Sequence, residues 1–257
     1  MTAPSTQLTL TALRDIPEVA PGDDLVALIC AALEGANLTL EEGDVIAVTQ
    51  KIVSKAEGCL VDLTTVEPSE QALALAAELD KDPRHIEVIL RESRGIIRRQ
   101  RGVLITETHH GWICANAGVD RSNIAAEEAE VVLTLPRDPD ASAQHIREGL
   151  RAATGVDVAV LITDSHGRAW RLGTVNLAIG VAGMLPIADF RGHRDRFGYS
   201  LRITTVARAD ELAAAAGLLS GQAAEGLPVV HIRGAGYPRG EGRAVDMQRP
   251  VERDLFR

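Results

Sequence analysis

The chain has 257 residues, 46% hydrophobic and 25% charged, enough to bury a core as one domain or two closely packed ones. A formal net charge of −9 excludes a general nucleic-acid binder, because neutralising phosphates requires a basic surface. The three cysteines are widely spaced and form no Cys-x-x-Cys pair, which favours free thiols over disulfides or structural zinc. With neither a signal-peptide pattern nor about 18 successive apolar residues, we expect a cytoplasmic protein without a membrane span.

The first 60 residues predict two strands and a helix. LTLTALRDIPEV (8–19) is typical of a strand that runs into a turn at Pro17. PGDDLVALICAALEGA (21–36) has the apolar spacing of a helix, with Asp23 or Asp24 as its cap. In DVIAVTQKIVSKAEG (44–58), an apolar run at 45–48 predicts a buried strand. The polar residues that follow predict that this strand leaves the core and exposes its polar side chains to a ligand or to solvent.

The middle of the chain predicts two helices followed by two strands. Residues 68–93 have helical patterning that breaks at Asp82-Pro83, because proline disfavours helical geometry in the residue before it. Residues 95–120 indicate two strands joined by a turn at His109-His110-Gly111.

The C-terminal half alternates helices and strands. A linker-like stretch, 137–145, leads into a helix at 145–155 and then into an apolar strand that we expect to stop abruptly at Asp164. A strand and then a helix follow at 201–221, and a last strand at 227–234. The pattern predicts a mixed α/β (α+β) fold without internal repeats.

Two aspartates are the strongest candidates for chemistry. Asp120 and Asp164 each close a mostly apolar or small-residue segment and are followed at once by polar side chains. Two carboxylates that converge with a hydroxyl, here Ser165, would suit Mg²⁺ or Mn²⁺ bridging phosphate oxygens. Alternatively, each aspartate simply caps a turn or a helix.

Basic side chains near the predicted strand ends also have two interpretations. They could clamp phosphates, or they could be solvated and paired at the surface. The residues concerned are Lys55, Arg121, Arg168, Arg171, Arg191 and Arg194.

Neither of the two familiar phosphate-binding loops, the Walker A motif and the dinucleotide-binding Gly-x-Gly-x-x-Gly motif, occurs in the sequence. SGQAAEGLP (220–228) is a candidate loop for a base or phosphate, although Gly221 is equally typical of an ordinary helix C-cap. Three adjacent residues, Asp164, Ser165 and His166, do not predict a serine hydrolase, whose catalytic groups converge from separate places. Trp112 and Trp170 are expected to pack in the interior.

Several stretches together resemble the coenzyme F420-0:γ-glutamyl ligase family. They follow one another over nearly the whole chain, which makes the resemblance specific. The stretches are 43–58, CANAGVDRSN (114–123), LPRDPDASA (135–143), 160–184, DFRGHRDRFG (189–198), 209–230 and IRG (232–234).

The resemblance implies a GTP-dependent ligase that attaches L-glutamate to the deazaflavin precursor F420-0, and then further glutamates through γ-linkages. It also implies an intertwined homodimer, Mg²⁺ or Mn²⁺ at the GTP, and a contribution from K⁺. By motif, the metal ligands would be Asp120, Asp164, Ser165 and Gln222, with Arg121 offsetting charge that develops during catalysis. The GTP site would contain Asp15, Ile16, Pro17, Glu18, Gln50, Lys51, Lys55, Asn123, Ser220, Gly221, Gln222, Ala223, Ala224, Glu225, Gly226 and Leu227.

The chain departs from the family pattern in places. His166 stands where an aromatic or apolar residue is commoner, so no role is assigned to it, and Gln50-Lys51 replaces a small hydroxyl pair of some relatives. We expect residues 1–257 to form one ligase unit, either undivided or made of two intimate subdomains, without the flavin-binding domain of two-domain relatives. Two alternatives stay open: a metal-dependent nucleotide phosphohydrolase, and a non-catalytic GTP-binding subunit.

Overall fold

A computed structural model describes residues 6–100, 102–122 and 130–255. It is an α+β protein with several sheets, as the sequence predicts. The helices are α1 (Leu25–Gly35), α2 (Gln50–Ala56), α3 (Glu70–Leu79), α4 (Pro83–Arg91), α5 (Pro139–Thr154) and α6 (Arg208–Ser220). The strands are β1 (Thr9–Ala12), β2 (Val45–Thr49), β3 (Leu60–Asp62), β4 (Ser93–Gln100), β5 (Val103–Thr108), β6 (Ile113–Ala115), β7 (Val131–Leu133), β8 (Ala159–Arg168), β9 (Arg171–Ala182), β10 (Ile187–Asp189), β11 (Thr205–Ala207) and β12 (Val229–Arg233).

The main sheet has five strands in the order β1-β12-β2-β8-β9. Strands β2 and β8 are parallel, and the other neighbouring pairs are antiparallel. Alternate residues of β2 enter different cores, because successive side chains of a strand point to opposite faces. Ile46 and Val48 pack with α1 and α5, whereas Val45 and Ala47 pack with α6. The sheet is therefore covered by helices on both faces.

Apart from the packing on the two faces of the main sheet, a separate hydrophobic core, the second core, lies beside this sheet. It contains buried residues of α3 and α4, together with Leu104 of β5 and Val132 of β7. Strands β4, β5 and β6 form an antiparallel three-stranded sheet, and β3 pairs with β7. In the part of the chain described, no helix is long and apolar enough to cross a membrane.

Several local predictions are confirmed. Asp24 caps α1 by accepting hydrogen bonds from two backbone amides, and the helices α3 and α4 separate at Asp82-Pro83. A turn at 109–111 joins β5 to β6, as predicted. The same region contains three strands, β4, β5 and β6, where two were predicted.

Other predictions are wrong. Residues 50–56 form helix α2 directly after β2, and helix α5 begins at Pro139, inside the stretch predicted as a linker, with Asp138 as its cap. Strand β8 does not stop at Asp164 but continues to Arg168, because β9 supplies hydrogen-bonding partners as far as Arg171. Trp112 packs against the cores as expected, whereas Trp170 at the tip of the β8–β9 hairpin is 86% exposed.

A buried ion cluster ties β12 to the segment before β2. The carboxylate of Asp44 lies 2.8 Å from His231 Nε2 and 2.7 Å from a terminal nitrogen of Arg233. Burial alone would raise the pKa of Asp44, but hydrogen bonds from Arg233 and His231 outweigh it and lower that pKa. Ionised Asp44 therefore stabilises the folded protein.

We predict that Asp44→Asn lowers the free energy of unfolding by about 2–4 kcal/mol at pH 7, since it replaces the buried carboxylate that holds both His231 and Arg233 by a neutral amide. Because the folded pKa of Asp44 is lowered, this stabilisation is complete above the unfolded pKa of about 3.9 and is lost as pH falls through the folded pKa. Urea unfolding of both proteins at pH 7 and near pH 3 measures the difference. A gap that stays constant or widens in acid would contradict the prediction.

Candidate functional site

A cleft of about 230 Å³ lies at one edge of the main sheet. The segments that adjoin four neighbouring strands, β1, β12, β2 and β8, lie at this edge. Strand β1 ends here, antiparallel β12 begins here, and β2 reaches its end beside β8. The lining residues are Ile16, Pro17, Glu18, Val19, Thr49, Gln50, Lys51, Ile52, Lys55, Thr163, Asp164, Ser165, Asn176, Ser220, Gly221, Gln222, Ala223, Glu225, Gly226, Leu227 and Pro228.

Helix α2 supplies two lysines to the cleft, Lys51 in its first turn and Lys55 in its last. Strand β2 pairs with β8 up to Thr49 and Thr163, and the chain then turns directly into α2. Lys55 is buried apart from a small fraction and pairs with the carboxylate of Glu18, which belongs to the turn after β1. The predicted residues Gln50, Lys51 and Lys55 are thus brought together with the turn at 16–18.

Asp164 and Ser165 lie on the part of β8 that extends beyond the end of β2. From Asp164 onward, β8 pairs with β9 on one side, which leaves the other side open to the cleft. Nε2 of His166 lies 2.9 Å from Oδ2 of Asp164, and His166 is 7% exposed. Although sequence reasoning set His166 aside, the structure places it in direct contact with the predicted metal ligand.

Asp120 reaches the cleft through Lys51. Its Oδ2 lies 2.8 Å from Lys51 Nζ, and its Oδ1 accepts a hydrogen bond from the backbone amide of Ser122 at 2.8 Å. Burial raises the pKa of Asp120, but the Lys51 ammonium and the Ser122 amide outweigh burial and lower it. The carboxylate is therefore held in its charged form at the rim of the cleft.

Arg121 has a different partner. One of its terminal nitrogens lies 3.4 Å from Oδ2 of Asp82, the residue that caps α4. Hydrogen bonds from Arg84 dominate the environment of Asp82 and lower its pKa to about 2. The structure thus places Arg121 next to the second core, and Asn123, the next predicted nucleotide contact, lies outside the described residues.

The loop after α6 closes the cleft on the side of β12. Gly221 is the C-cap of α6, as one of the two interpretations predicted, and adopts a φ of 71°. Pro228 accepts a hydrogen bond from the backbone amide of Thr49 at 2.8 Å, which fixes the loop against the end of β2. Gln222 donates through Nε2 to Oδ1 of Asn176 at 2.8 Å.

The donors in the cleft fit a hard divalent cation. Asp164, Ser165 and Gln222 line the cleft together, and each can offer an oxygen ligand of the kind that Mg²⁺ and Mn²⁺ prefer. Among the described residues there is no group of three or more His, Cys, Asp and Glu side chains that could hold a metal ion. The described residues would therefore supply only a few carboxylate ligands to such a cation. This is usual for Mg²⁺ when substrate phosphates provide other ligands.

An unpaired hydroxyl in the lining also fits a bound polar ligand. Ser220 Oγ is buried and has no hydrogen-bond partner among the described residues. Buried polar groups nearly always have a partner, so an orphan in a cleft indicates a site where a ligand or water completes the bonding.

The remaining arginines lie away from these residues. Arg168 and Arg171 flank the tip of the β8–β9 hairpin, and Arg191 forms an ion pair with Asp189 at the end of β10. Arg194 pairs through its backbone with Ser200 within the segment that connects β10 to β11. These four arginines therefore lie in two separate segments outside the lining of the cleft.

Asn176 is a cleft residue that sequence reasoning missed. It lies in β9, opposite Ser165, and is 5% exposed. The available signal was a single amide in a strand of otherwise apolar and small residues, TVNLAIGVAG (174–183).

A larger and more open cavity of about 620 Å³ lies between α1 and α5. Its lining includes Asp24, Glu57, Asp138 and His145 but none of the residues predicted for the site. Size alone does not identify the site, because the smaller cleft gathers most of the predicted polar side chains, although Asp15, Asp120 and Arg121 are not in its lining.

Comparison with known proteins agrees with the motif-based resemblance. Residues 14–234 match the model of a family described as F420-0:Gamma-glutamyl ligase. A coenzyme F420:L-glutamate ligase of Methanothermobacter thermautotrophicus is 46% identical over 252 residues, covering 97% of this chain and 99% of that protein. Proteins of the same name from Methanopyrus kandleri and Methanocaldococcus jannaschii are 49% identical over 244 residues and 45% identical over 222 residues. These matches cover 93% and 86% of this chain, and 94% and 88% of the relatives. The chain therefore belongs to the F420-0:γ-glutamyl ligase family.

Proposed function

We propose that this protein is a GTP-dependent ligase in coenzyme F420 biosynthesis, which joins L-glutamate to the deazaflavin precursor F420-0 and then adds further glutamates through γ-linkages. The observation that carries the proposal is the composition of the cleft. Segments 16–18, 49–55, 163–165 and 220–228, which are distant in sequence, line one cavity in a member of a ligase family.

Amide formation explains why such an enzyme needs a nucleoside triphosphate. A carboxylate is a poor electrophile and an ammonium group is not a nucleophile, so the two do not condense in neutral water. Transfer of the γ-phosphoryl group of GTP to the carboxylate of F420-0 would give an acyl phosphate and GDP. The deprotonated amine of glutamate would then attack its carbonyl carbon and release phosphate. The protein's contribution is positioning and charge neutralisation.

The side chains of the cleft divide this work. Lys51 and Lys55 carry positive charge on α2, where it would offset phosphate oxygens. Asp164, Ser165 and Gln222 would hold Mg²⁺ or Mn²⁺, with Asp120 as the fourth ligand after exchange of Lys51 for the cation. When bound, the cation supplies charge neutralisation at the phosphates.

Arg121 and K⁺ are part of the proposal, but neither is assigned to the lining of the cleft. Arg121 would offset developing charge only after exchanging Asp82 for the substrate, because Asp82 is its partner here. No residue is assigned to K⁺, which we retain as a proposed cofactor on the resemblance alone.

We further propose that the protein is a homodimer. Large apolar side chains are exposed on the β8–β9 hairpin and on the segment between β10 and β11: Leu172 is 100% exposed, Phe197 87% and Ile203 88%. A second copy of the chain seated on these two segments would remove their apolar side chains from water. Light scattering coupled to size-exclusion chromatography measures the oligomeric state directly.

The function is tested by incubating the purified protein with GTP, Mn²⁺, L-glutamate and F420-0 and detecting glutamyl additions by mass spectrometry. Leaving out one component at a time is the control. Phosphate release from GTP without either acceptor would instead favour a phosphohydrolase. Metal-dependent GTP binding without turnover would favour a non-catalytic subunit.

We predict that Asp120→Asn and Asp164→Asn each lower glutamate-dependent GTP hydrolysis by at least about 100-fold, because each removes a charged ligand from the phosphate site. The fold should persist, since both side chains lie at the cleft and not in a core. Circular dichroism checks the fold, and the assignment of either aspartate would be wrong if its variant kept near-normal turnover.

We also predict that Arg194→Ala raises the KM for F420-0 more than the KM for GTP. F420-0 is anionic, and the segment from 190 to 204 concentrates arginines on a protein of net charge −9. Steady-state kinetics with each substrate varied in turn measures both constants. Arg91→Ala serves as the matched control, because Arg91 forms a surface ion pair on α4. A larger rise in the KM for GTP would refute this placement of the deazaflavin.

A further inference from the structure

Asn176 is a buried amide in the wall of the cleft, and its contacts indicate a specific task. It is 5% exposed and stands opposite Ser165 in the β8–β9 pairing. Its neighbours in β9, Val175 and Leu177, are apolar. Because burying an amide costs free energy unless it is hydrogen-bonded, an apolar residue would be the expected choice for packing alone.

The bond to Gln222 determines which end of the glutamine side chain can face a ligand. Gln222 Nε2 donates to Asn176 Oδ1 at 2.8 Å. A glutamine amide has one carbonyl oxygen, which accepts, and one amino group, which donates. Engaging the amino group with Asn176 makes Oε1 the atom that Gln222 can offer to the cleft. A divalent cation binds carbonyl oxygens and is repelled by amino hydrogens, so this orientation suits a cation.

Helix α6 fixes the Asn176 amide from the other side. A Cβ atom at Gly217 would lie 3.0 Å from both Cγ and Nδ2 of Asn176. The absence of a side chain at position 217 therefore allows the helix backbone to approach the amide closely. Glycine inside a helix costs about 1 kcal/mol relative to alanine, and this close approach is a physical reason for having it in α6.

The same bond anchors the loop that closes the cleft. Residues 221–227 lie between α6 and β12, and within this loop the Glu225 carboxylate accepts a hydrogen bond from the backbone amide of Ala223 at 2.7 Å. The Gln222 side chain connects the loop to β9. Orientation of the ligand atom and attachment of the loop thus depend on one acceptor, Asn176 Oδ1.

We propose that Asn176 is a positioning residue, held by α6 at Gly217, that turns the carbonyl oxygen of Gln222 toward a divalent cation bound with the nucleotide. This inference rests on the proposed function, because it requires a cation in the cleft. It assigns to Asn176 no contact with substrate and no part in bond making.

The test compares wild type with two variants of nearly equal size. Asn176→Leu removes the acceptor, whereas Asn176→Asp keeps an acceptor oxygen at the same place. Mn²⁺ affinity in the presence of GDP is measured by electron paramagnetic resonance, which does not depend on turnover. We expect Asn176→Leu to weaken Mn²⁺ binding by about 10-fold or more, the usual range for loss of an outer partner of a metal ligand, and Asn176→Asp to retain tight binding.

A double-mutant cycle separates positioning from a general structural role. If Asn176 acts through Gln222, then adding Asn176→Leu to Gln222→Ala should weaken Mn²⁺ binding little further. Gly217→Ala provides a variant outside the cleft: it favours the helix, yet its methyl group forces the Asn176 amide to shift by a few tenths of an ångström. It should lower Mn²⁺ affinity without lowering the melting temperature.

The outcomes distinguish this inference from the proposed function. Wild-type Mn²⁺ affinity in Asn176→Leu, or full additivity with Gln222→Ala, would overturn the positioning role and leave the ligase proposal intact. Wild-type protein that binds no Mn²⁺ with GDP would overturn both.

Discussion

The site depends on the parallel pairing of β2 with β8. This pairing runs from Val45 with Ala159 to Thr49 with Thr163, so both strands reach the same edge of the sheet. There β2 ends in a helix, while β8 continues in a hairpin with β9. The unequal length of the two strands opens one side of β8 and creates the cleft. Ligand sites commonly lie at such strand ends.

Strands β12 and β1, on the other side of β2, complete the arrangement. Val229 of β12 pairs with Val48, and the backbone amide of Leu13 donates to the carbonyl of Val229. The loop before β12 and the turn after β1 are therefore carried to the edge where β2 ends. Four segments meet without long side chains having to bridge them, because backbone hydrogen bonds set their spacing.

Polar side chains, of which His166 and Asn176 are buried, then orient the groups that face the cleft. His166 contacts Asp164, Asn176 contacts Gln222, and Lys51 contacts both Asp120 and Ser122. Inside a protein such bonds are stronger than in water, and leaving one unmade is costly. Asp164 also affects a thiol in β6: burial, together with this carboxylate, raises the pKa of Cys114 to about 12. That thiol is therefore held protonated and is not a nucleophile.

The sequence by itself determined the features that depend on neighbouring residues. The cap at Asp24, the helix break at Asp82-Pro83, the turn at 109–111 and the apolar run of β2 are short-range signals, and the motifs identified the family. Tertiary structure decided where segments end and which groups meet. Strand β8 passes Asp164 because a distant strand, β9, supplies its hydrogen bonds. Arg121 joins Asp82, and Asn176 joins Gln222, because packing of separate helices and strands brings them together. Pairing between distant segments leaves no local pattern, since its free energy comes from contacts that exist only once the chain has folded.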